Sequence, residues 1–327
     1  MRWGRKKNGT GGRGRLTLLF VTDLHGSDYT FGKLLNALEA WEPDVYIAGG
    51  DVAGKGMLPM LRENGGVRAE WMGEEGVFSG RALEELRARA LQLGFYPYET
   101  DVDELERMRD QPELAEQVFE RLMLERWSEW LERLEERCAE LRLPAYVMAG
   151  NDDPWDLDEP TFEDREWVRG ADGKVLDLAD DWALLACGLA NPTPWRCPRD
   201  VSEEELSARL AGLAEEANEM ENMIANIHVP PYGSALDLAP RLDTSTYPPR
   251  TIAGETAPVG STAVHDFLTR HQPMLSLHGH IHESPGAVKI GRTEAINPGS
   301  EYAEGVLRAV LVTIEPGRVV GHQFVTG

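Results

Sequence analysis

Apolar positions along the chain change rhythm several times, and each change marks an element. Residues 16–22, LTLLFVT, form an unbroken apolar run rich in strand formers, the pattern of a strand buried on both faces. Phe31, Leu34, Leu35, Leu38 and Trp41 then recur at helical spacing until Pro43 ends the pattern. DVYIA follows as a second buried strand. Strand, helix, strand is how a parallel α/β sheet opens. From residue 55 to about 143 the rhythm turns helical. Leu83, Leu86, Ala90 and Leu93 trace one amphipathic helix, and Leu114, Val118, Leu122, Trp127, Leu131, Leu134, Cys138 and Leu141 trace a longer one. The outer face of the longer helix is dense with Glu and Arg, which suits solvated i,i+4 pairs. No core strand is evident in this stretch, so a helical insertion is expected over about 55–143. It could decorate the domain, cover an active site or serve as an arm for oligomer formation.

The sheet resumes at AYVMAG (145–150), and KVLDL and WALLACGL read as two strands joined by an acidic turn. Ser202 and Glu205 make a capping box before a helix that runs through Leu206, Leu210, Leu213 and Met220. MIANIH (223–228) is the next strand, and residues 230–260, rich in Pro, Thr and Gly, are expected to form a long loop. Val264, Phe267 and Leu268 mark a helix, MLSLH (274–278) a strand, and AVKI, RTEAI, VLRAVLVTI and VVGHQFV close the chain as strands.

Composition narrows the function. The 327 residues are 42% hydrophobic, enough for a substantial core. The formal net charge of −23 disfavours strong binding to nucleic acid or anionic membrane. No apolar run approaches the length of a membrane span. Cys138, Cys187 and Cys197 are too few and too scattered for a disulfide framework or a structural zinc site, which suggests a reducing cytoplasm. Residues 1–15 are basic and glycine-rich without the apolar stretch of a signal peptide, and a flexible tail is expected there. An anionic substrate would need local positive charge in so acidic a protein, and bound metal ions would supply it.

The candidate chemistry lies just past the strands. Asp23 and His25 follow the first, and Gly50-Asp51 the second. Gly150, Asn151, Asp152 and Asp153 follow AYVMA, His228 follows MIANI, and His278, His280 and His282 follow or end MLSL. Ligands of open α/β sheets bind beyond the carboxyl ends of the strands, where these residues would converge. Residues i and i+2 of an extended segment point the same way, so Asp23 with His25, and His280 with His282, can each enter one pocket. Such a set of carboxylate, amide and imidazole donors is too large for one tetrahedral zinc. It fits two five- or six-coordinate ions that share a carboxylate, and mixed nitrogen and oxygen donors without thiolate suit manganese, iron, zinc or cobalt.

In this order the motifs D-x-H, G-D, G-N, a separate His and G-H-x-H resemble those of the calcineurin-like metallophosphoesterases, over roughly residues 16–315 without the insertion. NIHVPPYGSALD and NPGS also look like the Icc-related branch of predicted phosphoesterases. The resemblance implies a fold of two mixed β-sheets packed as a sandwich flanked by helices, here spanning residues 16–327 around the insertion. It implies that Asp23, His25 and His282 hold one metal ion, that Asn151, His228 and His280 hold a second, and that Asp51 bridges both. Manganese is the first expectation for the pair. The implied activity is hydrolysis of a small phosphoester or nucleotide by a hydroxide held between the ions, with Asp51, Asn151 and Asp152 as the catalytic positions. His278 has no ligand role in the pattern and is expected to be structural or to support the neighbouring ligands.

One position departs from the family. The residue after the motif asparagine is Asp152, where the family places a histidine that assists the transition state or leaving group. A carboxylate there repels phosphoryl oxygens and lacks the near-neutral pKa of a general acid. The expectation is therefore an enzyme that relies on its metals and favours phosphodiesters over monoesters. Two other readings stay open. A binding module could hold metals without turnover and use the insertion as its partner surface. GGDVAGKG (49–56) also has the P-loop spacing, although Gly56 stands where such loops carry Ser or Thr. Arg196, Tyr232 and Arg292 are further candidates for substrate contact.

Overall fold

Apolar runs without alternation need partners on both faces, and the fold supplies them. In a computed structural model the chain is described over residues 14–179, 182–217, 219–246 and 248–327. The expected basic tail, apart from its last two residues, lies outside the described residues. The chain opens with β1 (Leu16–Val21), α1 (Asp28–Ala40) and β2 (Val45–Ala48). The inserted segment follows as β3 (Gly56–Glu63), β4 (Gly66–Trp71), β5 (Glu74–Phe78), α2 (Gly80–Gln92), β6 (Phe95–Thr100), α3 (Val102–Asp110) and α4 (Pro112–Leu141). Next come β7 (Ala145–Val147), the short α5 (Asp158–Thr161), β8 (Val168–Gly170), β9 (Val175–Ala179), β10 (Trp182–Cys187), α6 (Glu203–Glu216) and β11 (Met223–Ile227). The last third holds β12 (Leu238–Asp243), β13 (Arg250–Pro258), α7 (Thr262–His271), β14 (Leu275–Leu277), β15 (Gly286–Ile290), β16 (Thr293–Asn297), β17 (Arg308–Glu315) and β18 (Arg318–Thr326).

Two six-stranded mixed sheets form the sandwich, in the orders β18-β17-β1-β2-β7-β8 and β15-β16-β14-β11-β10-β9. This is the metallophosphoesterase-like architecture that the resemblance implies. Period-two alternation assigns the faces. Leu18, Phe20, Val45 and Ile47 point from the first sheet into the shared core, where they meet Leu184, Ile224, Leu275 and Ile296 of the second. Leu19, Val21 and Tyr46 point the other way, under α1 and α4. Ala225 and Ile227 do the same under α6 and α7. The capping box at Ser202 and Glu205 opens α6 as expected.

The inserted segment corrects the sequence reading in two ways. It contains helices α2, α3 and α4, but also a four-stranded sheet of order β5-β4-β3-β6 with its own small core of Leu58, Met60, Val67, Ala69, Leu86 and Ala90. These strands were hidden because one face is wet, so each carries few apolar residues. Pro59 is accommodated because it lies in the half of β3 that β4 does not pair. The long helix α4 is also no outer decoration. Trp127, Trp130, Leu131, Leu134 and Cys138 are buried in the main core, and Trp130 stacks on Phe31 of α1 at 4.2 Å. Arg133 and the Trp130 indole both donate to Asp28 at the start of α1, at 2.9 and 3.1 Å. Residues 230–260, expected as a loop, contain the β12–β13 hairpin.

Candidate metal centre

The strands that carry candidate donors run in one direction within each sheet: β1, β2 and β7 are mutually parallel in the first, β11 and β14 in the second. Their carboxyl ends therefore open on one edge of the sandwich. Backbone bonds tie the loops together there. Asp23 N–H donates to Gly50 O, His25 N–H to Asp51 O and Gly279 N–H to His228 O, at 2.9–3.0 Å. Asp23, His25, Asp51 and His280 all sit at positive φ, between 42° and 65°. Four bulky polar residues in that region mark backbone strain that the surrounding packing must enforce. Gly150 and Gly279 leave no room for a side chain, because a Cβ there would strike the carboxylates of Asp51 and Asp23.

Three sets of donor atoms lie within 4.8 Å of one another: Asp23, His25 and His282; Asp51, His228 and His280; and His25, Asp51 and Asp152. Asp51 faces both of the first two, with Oδ2 3.5 Å from His25 Nε2 and Oδ1 3.4 Å from His228 Nε2. Asn151 joins the second set, its Oδ1 3.1 Å from His228 Nε2. The chain thus brings together all seven expected ligand positions.

The donors are held by a ring of supporting bonds. His228 Nδ1 donates to Gly49 O at 2.8 Å, which leaves Nε2 as the inward atom. Asn151 Nδ2 donates to Asp200 Oδ1 at 2.9 Å, which turns its oxygen inward. Asp23 accepts from Thr22 Oγ1 at 2.7 Å and from the His280 N–H at 3.0 Å. Inward atoms are then mostly acceptors facing acceptors: His25 Nε2 and His282 Nε2 are 3.2 Å apart beside two carboxylates. Converging buried lone pairs repel unless cations lie among them, so the donor set fits metal ions. At His228 a proton meets the same concentration of negative charge. Burial disfavours the His228 imidazolium, yet Asp51 outweighs it and the pKa is raised to about 10. Burial also opposes ionisation of Asp51, but His228 and His25 hold its carboxyl well below the usual range.

His278 is structural, as expected: its Nδ1 donates to Ile227 O and its Nε2 accepts from Ser276 Oγ, both at 2.8 Å. Burial lowers its pKa to about 4. Asp153 also serves the scaffold, accepting from the N–H groups of Val52, Ala53 and Gly150 at 2.7–3.0 Å, which pins two ligand loops to one carboxylate. Fully buried Arg199 secures the same loop through Asp153 O, Pro154 O and Asp158. Neither Arg199 nor Asp200 was legible as part of the site, since nothing in CPRD marks it. The asparagine of NPGS fixes the GHIH turn by donating to Ile281 O at 2.9 Å. Of the other candidates, Arg292 lies in the β15–β16 turn at the opposite end of the sheet and donates to Gln272 O. Arg196 and Tyr232 are exposed. GGDVAGKG is not a P-loop, because β3 rather than a helix follows it.

No family model matches the chain. The uncharacterized protein MJ1162 of Methanocaldococcus jannaschii is 28% identical over 117 residues, which are 35% of this chain and 47% of that protein. The match therefore spans about half the length of the curated relative. Two solved structures share the fold. One aligns at TM-score 0.55 and 15% identity, covering 96% of this chain and 98% of its own. TT1561 of Thermus thermophilus aligns at TM-score 0.51 and 12% identity, covering 92% and 98%.

Proposed function

We propose that this chain, with its metallophosphoesterase-like fold, is a phosphoester hydrolase that works with two divalent ions and favours diesters. The observation that carries the proposal is the placement of Asp51, one oxygen toward Asp23, His25 and His282 and the other toward Asn151, His228 and His280. In this reading those two sets each hold one ion and Asp51 is shared. Manganese is the first candidate, and iron, zinc or cobalt suit the same nitrogen and oxygen donors. Bound ions would lower the pKa of water and draw negative charge off the phosphoryl group. The chain's own part is orientation. Asp200 keeps the Asn151 oxygen inward, and Thr22 with the His280 amide keeps Asp23 in one rotamer.

Diester preference follows from position 152. No imidazole stands there to protonate a poor leaving group, so esters with good leaving groups are favoured. The substrate in this reading is a small phosphoester or nucleotide. Three free cysteines, two of them buried, are compatible with a reducing compartment. Among the described residues no helix is long and apolar enough to cross a membrane.

Metal analysis of protein purified without chelator, followed by assays on bis(p-nitrophenyl) phosphate and p-nitrophenyl phosphate, tests the proposal. Two ions per chain and faster cleavage of the diester are expected. Two ions without turnover of any ester would instead identify a binding module. Asp152→His is expected to raise monoester hydrolysis by about tenfold or more. A high monoester rate in the parent, unmoved by that change, would refute the account of position 152.

A further inference from the structure

The carboxylate of Asp152 has a partner that the motif pattern does not announce. Lys55 Nζ donates to Asp152 Oδ2, and both side chains are about one-third exposed, 34% and 31%, at the mouth of the donor cluster. Asp152 is anchored to that cluster through its own N–H, which donates to Asp51 Oδ1 at 2.9 Å, and its Oδ2 lies 3.8 Å from His25 Nδ1. Burial disfavours the Lys55 ammonium, but Asp152 and then Asp51 outweigh it and hold the charge in place. Tyr302 borders the same mouth, its ring 4.9 Å from that of His25.

The inserted segment positions this lysine. Lys55 N–H donates to Gly94 O at 2.8 Å, and Gly54 N–H to Tyr96 Oη at 2.7 Å. β3 then pairs with β6 from Gly56 opposite Phe95. The approach is backbone on backbone: Gly94 sits at φ +74°, and a Cβ there would strike His25 O. The loop with Lys55 is thus clamped between β6 and the turn that presents His25.

We propose that Lys55 is a substrate-contacting residue, its ammonium shared between Asp152 and a non-bridging oxygen of the bound phosphoryl group. The inference rests on the phosphoester reading above and adds the group that makes an acidic position 152 tolerable. An ammonium has three donors, so it can keep Asp152 and still bind the incoming oxygen. The pair is neutral as a unit, which removes the repulsion a lone carboxylate would exert. In this role the insertion is the device that delivers a positive side chain to the site of a chain with net charge −23.

Titration calorimetry with inorganic phosphate on the full chain, with metal analysis of the same samples, tests this. Lys55→Gln is expected to keep the wild-type ion content and to lose about tenfold to a hundredfold in phosphate affinity, the worth of one charge-assisted hydrogen bond. Asp152→Asn, which keeps the ammonium and removes the competing carboxylate, is expected to bind phosphate at least as tightly as the wild type. Unchanged affinity in Lys55→Gln overturns the proposal, as does loss of its ions, which would make the lysine structural. Should Lys55→Gln not fold, Asp152→Asn decides alone: a tenfold weaker affinity overturns the proposal. A wild type that binds no ions would sink the hydrolase reading, while the comparison of phosphate affinities would still judge Lys55 separately.

Discussion

Asp153 illustrates how much one buried side chain carries at this centre. Its carboxylate takes three backbone N–H groups from the loops after β2 and β7, so it fixes the distance between Asp51 and Asn151 without touching an ion site. Burial, then the charge of Asp51, pushes its pKa up to about 7, the cost of holding a second carboxyl so close. Replacing it by Ala strands three buried donors. Asp153→Ala is expected to lower unfolding free energy by about 3–5 kcal/mol, measured by urea denaturation. A loss under about 1 kcal/mol would mean that the loops hold their shape without it.

At the scale of elements, β6 is the strand that connects the inserted sheet to the chemistry. Tyr96 is buried and its hydroxyl accepts from the Gly54 amide, so the strand acts on the Lys55 loop through one polar atom. Tyr96→Phe removes that acceptor and keeps the ring. It is expected to cost about 1–2 kcal/mol of stability and to weaken phosphate binding, with ion content unchanged. Equal phosphate affinity in the variant and the parent would show that β6 does not set the position of Lys55.

For the whole molecule, the donor cluster is a seam between two sheets. Asp23, His25, Asp51 and Asn151 come from the first, His228, His280 and His282 from the second, so bound ions would cross-link the sandwich. Chelation is therefore expected to destabilise the entire fold, by about 4 kcal/mol for ions held at a thousand times their dissociation constant, read as a fall in Tm. A Tm indifferent to EDTA would count against ions in the seam. The net charge of −23 gives a second expectation at this scale. Long-range repulsion of an anionic substrate is screened by salt, so kcat/KM is expected to rise as salt is added from about 0.01 to 0.15 M. A fall over that range would mean that a local positive field governs capture instead.

The seven candidate donors and most strands of the two large sheets were legible in the primary structure, because strands buried on two faces are unbroken apolar runs and the polar residues that end them stand out. The division into two sheets came from the family resemblance, and the three-residue β8 is too short to show a pattern. The sheet between residues 56 and 100 was not legible, since a one-sided strand alternates over too few residues to rise above a helical background. Nor were the roles of Lys55, Asp153, Arg199 and Asp200, which share no spacing with their partners. Period and residue type are local properties, so the sequence alone determined the strands buried on two faces and which of their ends carry candidate chemistry. Pairing Lys55 with Asp152, 97 positions away, depends on how an inserted sheet docks against the β1 turn, and only the tertiary structure decides that.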